Sequence, residues 1–331
     1  MRGGFFMDNN KLLIDIDNFM LDCSARNLSR KTMASYEQTL RLFTTFIREK
    51  YDITDSKSVK ARHIREYIEQ TRQRGKYTVV ADAMTSRINH PTRRSDYGKQ
   101  VSETTLANYL RNIKVFFNYL YGEKIIRRNP VTNIENIKPA RKKKPLLAEH
   151  ELYMLMRSFD TSTFHGFRDW TITRLILDSG PRVSEVLSIM PADVDFRNRA
   201  ILLRYTKGGK ERFIYFSDKM GRNLKSWMEF ADRYANSPYL FPSIHGRKMD
   251  SRNFETSLRR AGKSVGIDVA PHQLRNNFAK YYLLNGGDFA TLSRILGHSS
   301  PEVTQRAYLD FTNREIGQNY QKHSPLENLK I

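Results

Sequence analysis

His272 and Arg275 stand three residues apart directly after Pro271. That spacing puts both side chains on one face of a helix whose first turn the proline opens. The unpaired N–H groups of such a turn, with a guanidinium and an imidazole beside them, make a ready phosphate site. Arg182 lies in Ser179-Gly180-Pro181-Arg182-Val183-Ser184-Glu185. There Gly180 ends one helix, the next begins at once, and Glu185 is placed to hold the arginine in orientation. Lys207 falls in the hairpin turn Thr206-Lys207-Gly208-Gly209-Lys210, from which its flexible stem can carry an ammonium into a cleft. Leu296-Gly297-His298 closes another helix, and Ser300-Pro301 opens a last one that carries Tyr308. Each feature alone has an ordinary reading: a structural Arg-Glu pair, a hairpin lysine kept for solubility, a capping histidine, a core tyrosine.

Positioning such groups requires a scaffold, and 331 residues suffice for two ordinary domains. In the first half Ser29 caps a helix with apolar positions Met33, Tyr36, Leu40, Phe43 and Ile47. A second helix runs from Ser102 through Leu106, Leu110, Ile113, Phe117 and Leu120 until Asn129-Pro130 stops it, and a shorter one between them carries Ile64, Tyr67 and Ile68. Arg72 to Gln100 lacks helical periodicity and is rich in cations, which reads as an extended basic insertion, either a solvated loop or a DNA-touching arm. The run Arg141-Lys142-Lys143-Lys144 before Pro145 marks a linker whose clustered charge suits a phosphate backbone. The expected organisation is a helical domain over 1–140, a linker over 141–147, and a domain over 148–331 with a tail over 311–331. In the second half, helices are expected at Glu149 to Phe159, Phe167 to Ser179, just after Pro181, and from Asp218, Ser251 and His272. Ala200 to Tyr205 and Glu211 to Phe216 read as two strands. The fold class is thus mainly α with a small β-sheet.

Lys and Arg number 56 against 35 Asp and Glu, a formal charge of +21. A polyanionic partner, nucleic acid before membrane, explains so strong an imbalance. No apolar run is long enough to span a bilayer, and no secretory h-region opens the chain, which favours a cytoplasmic protein. The lone Cys23 excludes a disulfide framework and a multi-cysteine zinc site. Asp193 and Asp195 read as turn residues rather than metal ligands.

The order and spacing of the polar motifs resemble the catalytic half of the tyrosine recombinase family, which includes phage integrases, Xer-type resolvases and conjugative-transposon integrases. The family's Gly-x-Arg-x-Ser-Glu box resembles Gly180 to Glu185, its hairpin lysine Lys207, its His-x-x-Arg box His272 to Arg275, and its Leu-Gly-His motif Leu296 to His298. Its nucleophile falls on Tyr308. The first half resembles, more weakly, the family's core-binding domain, with Ser29-Arg30-Lys31-Thr32 opening one helix and Thr104 to Tyr121 forming another. Departures are Pro181, the pair Asn276-Asn277, the basic insertion, and a His298 to Tyr308 interval one residue longer than is common.

The resemblance implies a two-domain DNA clamp, a helical core-binding domain plus a mixed α/β catalytic domain. Its catalytic set would be Arg182, Lys207, His272, Arg275, His298 and Tyr308, with Glu185 behind Arg182. Arg30, Lys31, Arg111, Lys114, Arg141, Lys142, Lys143 and Lys144 would contact DNA. The implied reaction transfers a DNA strand to Tyr308 and back without ATP, cofactor or metal, the two guanidinium groups supplying the electrostatics. The implied partners are double-stranded DNA at a specific recombination site and further copies of the chain, a dimer on each site and a tetramer in the synapse. A DNA-bending accessory protein can join them. A type IB topoisomerase or telomere resolvase shares the nucleophile, and a catalytically silent DNA-binding regulator shares the fold; both stay open as alternatives.

Overall fold

The computed structural model describes residues 10–80, 87, 90–140, 145–204, 209–234, 236–298, 302, 317 and 320. The chain divides into two compact units, 1–142 and 143–331. Among the described residues no helix is long and apolar enough to cross a membrane.

The first unit is helical: α1 (Lys11–Ala25), α2 (Arg30–Tyr51), α3 (Ala61–Arg74) and α4 (Glu103–Gly122). Polar caps start three of them, because Asn10, Ser29 and Ser102 each accept a first-turn backbone N–H, from Leu13, Thr32 and Thr105. Their apolar stripes converge on one core that includes Leu12, Ile16, Phe19, Leu40, Phe43, Ile47, Tyr67, Ile113 and Phe117. Burying each such Leu, Ile or Phe side chain stabilises the unit by roughly 1.5–3 kcal/mol. Asn112, buried on α4, donates to the Ser35 carbonyl at 3.1 Å and to Thr39 Oγ1 at 2.9 Å, which pins α4 to α2.

Two expectations need correction here. Helix α4 stops at Gly122 rather than near Asn129, because Lys124 turns left-handed at φ 58° and the Ile125 and Ile126 N–H groups fold back to the Leu120 carbonyl. The basic insertion is also shorter than Arg72 to Gln100, since Arg72 and Arg74 belong to the last turn of α3. Its base is closed by backbone hydrogen bonds from Lys76 N to Lys99 O at 2.8 Å and from Gly98 N to Lys76 O at 3.0 Å. Within it Arg94 lies over the Tyr77 ring at 4.2 Å and pairs with Asp96 at 3.2 Å.

The second unit carries α5 (Glu149–Arg157), α6 (Phe164–Ser179), the single turn α7 (Val183–Val186), α8 (Asp218–Ala231), α9 (Ser251–Ser264), α10 (Pro271–Leu284) and α11 (Phe289–Leu296). Three strands, β1 (Val194–Asp195), β2 (Ala200–Leu203) and β3 (Arg212–Tyr215), form an antiparallel sheet in sequence order. The register sets Val194 opposite Ile201 and Leu203 opposite Arg212. The core gathers Ile172 and Ile176 of α6, Leu224 and Trp227 of α8, Phe254 and Leu258 of α9, and Leu274 of α10. Trp227 satisfies its indole N–H on the Leu240 carbonyl at 2.8 Å. A second cluster of Phe278, Ala279, Leu283, Leu292 and Leu296 ties α11 to α10.

Candidate active site

Two left-handed glycine caps bring the polar residues together. Gly180 ends α6 at φ 70°, and a Cβ there would meet the Phe278 ring at 2.3 Å. Only glycine permits both the backbone turn and the approach of α10. The chain then reverses through Pro181, and Arg182 becomes the N-cap of α7. Gly297 ends α11 in the same way at φ 63° and delivers His298.

Arg275 joins these two turns. Buried on α10 at 2% exposure, it donates through Nη1 to the Gly180 carbonyl at 2.5 Å and through Nη2 to the Leu296 carbonyl at 2.6 Å. Its Nη2 also lies 3.3 Å from His298 Nε2. A guanidinium can only donate, so this contact makes Nε2 the acceptor and leaves the imidazole proton on Nδ1. Burial, followed by the charges of Arg275, Arg182, Arg212 and His272, lowers the His298 pKa to about 4. His272, exposed on the same helix, is lowered too, first by desolvation and then by Arg275 and Arg182. The His298 imidazole is therefore neutral at pH 7, and the shift on His272 favours its neutral form.

Glu185 holds Arg182 from behind. Its side chain is 1% exposed, and it accepts the Arg182 backbone N–H at 2.8 Å and the Arg182 Nη1 at 3.0 Å. Burial alone would raise the Glu185 pKa, but the hydrogen bonds from Arg212 and Arg182 outweigh it and hold the carboxyl below the usual range. Asn277 fixes the segment entering the unit, since its side-chain amide exchanges hydrogen bonds with Leu147 N at 3.2 Å and Leu147 O at 2.7 Å. One of the two asparagines that depart from the usual pattern thus has a structural role.

Of the residues singled out in the sequence, Arg182, Glu185, His272, Arg275 and His298 come together. Lys207, Tyr308 and the run Arg141 to Lys144 lie outside the described residues, as does the tail over 311–331 apart from residues 317 and 320. Arg30, Lys31 and Arg111 are exposed on α2 and α4, and half-buried Lys114 donates to Asn136 at 2.8 Å. Among the described residues no three His, Cys, Asp or Glu side chains form a metal-ligand group. Asp193 instead accepts from the Met190 N–H at 2.9 Å and from Arg204 at 2.6 Å, and Asp195 accepts from Asn198.

Sequence reasoning missed Arg212, which donates to both Glu185 oxygens and to the Ile295 carbonyl. A signal was present. In β3, Arg212 alternates onto the same face as buried Ile214, and a cation at an inward strand position requires a buried partner.

The profile of the Phage integrase family matches residues 145–315, and that of the Phage integrase N-terminal SAM-like domain matches residues 16–88. The tyrosine recombinase XerD of Listeria monocytogenes serotype 4b is 26% identical over 324 residues, covering 96% of this chain and 99% of its own. The Tn1549 transposon integrase, solved with circular intermediate DNA, superposes with a TM-score of 0.68 at 17% identity over 93% of this chain and 99% of its own. A lambda integrase dimer bound to a core site gives 0.65 at 15% identity over 88% of this chain and 96% of its own.

Proposed function

The chain belongs to the phage integrase family, and from that premise we propose that it is a site-specific DNA recombinase working through a 3'-phosphotyrosyl intermediate on Tyr308. The observation that supports this best is the junction at Arg275, where one guanidinium gathers the Gly180 turn, the Leu296 carbonyl and His298. Together with Arg182, it makes a cationic pocket of the kind a scissile phosphate requires.

The reaction must attack a phosphodiester with a hydroxyl of ordinary pKa about 10 and release an alkoxide that is a poorer leaving group still. In the first step the Tyr308 oxygen bonds to phosphorus as the bond from phosphorus to the 5' oxygen breaks. The tyrosine proton passes to neutral His272, and the departing 5' oxygen takes a proton from Lys207. Arg182 and Arg275 face the non-bridging oxygens and neutralise the charge that builds there, while His298 adds a hydrogen bond to the same phosphate. The phosphotyrosyl ester keeps most of the free energy of the broken bond. A 5' hydroxyl from a second duplex can therefore run the step backwards without ATP.

Recombination needs four such sites around two duplexes, so the proposal includes a dimer on each site and a tetrameric synapse, with head-to-tail cyclic contacts. Arg141 to Lys144 would follow the phosphate backbone, and Arg30, Lys31, Arg111 and Lys114 would supply further contacts. A supercoiled plasmid carrying two copies of the DNA flanking the gene tests the reading. Deletion or inversion between the copies is the expected result. Relaxation without exchange would point to a topoisomerase, and binding without either to a silent regulator.

A further inference from the structure

We propose that Arg212 is a positioning residue of the active site, one that balances the charge of Glu185 so that Arg182 stays free to hold the scissile phosphate. The proposal rests on the recombinase reading and extends it to a residue outside the catalytic set.

The geometry is that of a clamp. Arg212 Nη1 donates to Glu185 Oε1 at 2.9 Å and Nη2 donates to Oε2 at 2.7 Å, while Nε donates to the Ile295 carbonyl at 2.9 Å. Both carboxylate oxygens also accept from Arg182, one from its side chain and one from its backbone. Glu185 thus accepts four hydrogen bonds from two arginines, and the arginines differ in exposure. The Arg212 side chain is 12% exposed and its fork is turned to protein acceptors, whereas Arg182 keeps 31% of its side chain exposed. Arg212 is the anchor, and Arg182 is the one left to meet an anion.

Charge balance gives the anchor its consequence. A buried carboxylate with one cationic partner would draw that partner in and neutralise it. With Arg212 spanning both oxygens, Glu185 is already compensated, and the remaining positive charge of the trio resides on Arg182. The bond to Ile295 also holds the end of α11. A Cβ on Gly297 would come within 3.0 Å of the Arg212 guanidinium, so the turn that delivers His298 rests directly against this side chain. One residue of β3 therefore sets the attitude of α7 and of the His298 turn together.

The test measures single-turnover formation of the covalent protein–DNA adduct on a nicked duplex, alongside DNA half-saturation and the thermal melt. Arg212→Met is expected to slow adduct formation about 10- to 100-fold, the usual size of an outer-shell loss, with DNA half-saturation little changed. Adding Glu185→Gln removes the uncompensated charge, and the double variant is expected to react faster than Arg212→Met alone. A purely structural role for Arg212 gives no such rescue. If Arg212→Met fails to fold, Arg212→Lys decides, because an ammonium cannot span both oxygens and the Ile295 carbonyl; a slower rate than wild type, again relieved by Glu185→Gln, is expected. Either arginine variant reacting at the wild-type rate, or a double variant no faster than its single parent, overturns the proposal. No adduct from the wild type would instead overturn the recombinase reading, and this inference with it.

Discussion

Arg275 Nη2 lies 3.3 Å from His298 Nε2, so the guanidinium that joins two glycine-capped turns also fixes the tautomer of the histidine between them. Arg275 needs a planar fork for this, since its two Nη groups reach carbonyls on separate segments. Arg275→Lys keeps the charge and loses the fork. Single-turnover cleavage is expected to fall by about 100- to 1000-fold, the cost of losing one preorganised donor in comparable sites. Near-normal cleavage would remove Arg275 from the chemistry.

His298 also makes stability depend on pH. Burial first, and then the surrounding cations, hold its pKa at about 4 against an ordinary 6.5. As pH falls below 6.5 the unfolded chain takes up a proton that the folded protein refuses. The contribution is whole above about pH 6.5 and is lost as pH falls toward 4. Urea midpoints of the wild type should drop across this window more steeply than those of His298→Gln. Parallel curves would contradict the assignment.

Gly180 sets the position of Arg182 by a steric constraint that a melt can check. Alanine there must adopt φ 70° and push its Cβ into the Phe278 ring at 2.3 Å. Left-handed strain and overpacking together cost roughly 2–5 kcal/mol. Gly180→Ala should lower the stability of the second unit by that amount in denaturant; a loss below about 0.5 kcal/mol, the scale of an ordinary surface change, would show that the turn tolerates a side chain.

The basic run Arg141 to Lys144 is expected to act on affinity without touching the chemistry. Every cation withdrawn from a phosphate should reduce the slope of log K against log salt by about 0.9. A variant with alanine at all four positions should therefore bind less tightly and with a shallower salt dependence. An unchanged slope would assign the run to a solvated linker.

How far the sequence discloses this architecture depends on the kind of signal. Spacings of three and four made α2 and α4 legible, because Leu40, Phe43 and Ile47, and Leu110, Ile113 and Phe117, are buried stripes on otherwise polar helices. Helix α1 was not read, although Leu12, Ile16, Phe19 and Cys23 form its buried face. Exposed Ile14 and Leu21 break the contrast between faces on which periodicity depends. Strand β1 has two residues, too few to alternate. Arg182, Glu185, His272, Arg275 and His298, which the fold brings together, were legible by type and order, whereas Arg212 was not, because its partner Glu185 lies 27 positions away and no local spacing records a contact of that range.

The proposed attack of Tyr308 on DNA, on which the recombinase reading depends, is tested most directly by a denaturing gel of wild type and Tyr308→Phe incubated without added metal on nicked duplexes tiled across the gene's flanks. A slow-migrating protein–DNA adduct is expected from the wild type and none from Tyr308→Phe, with equal DNA affinity for both, since only a hydroxyl is removed. An adduct that persists in Tyr308→Phe, or no adduct from the wild type despite tight binding, would contradict it.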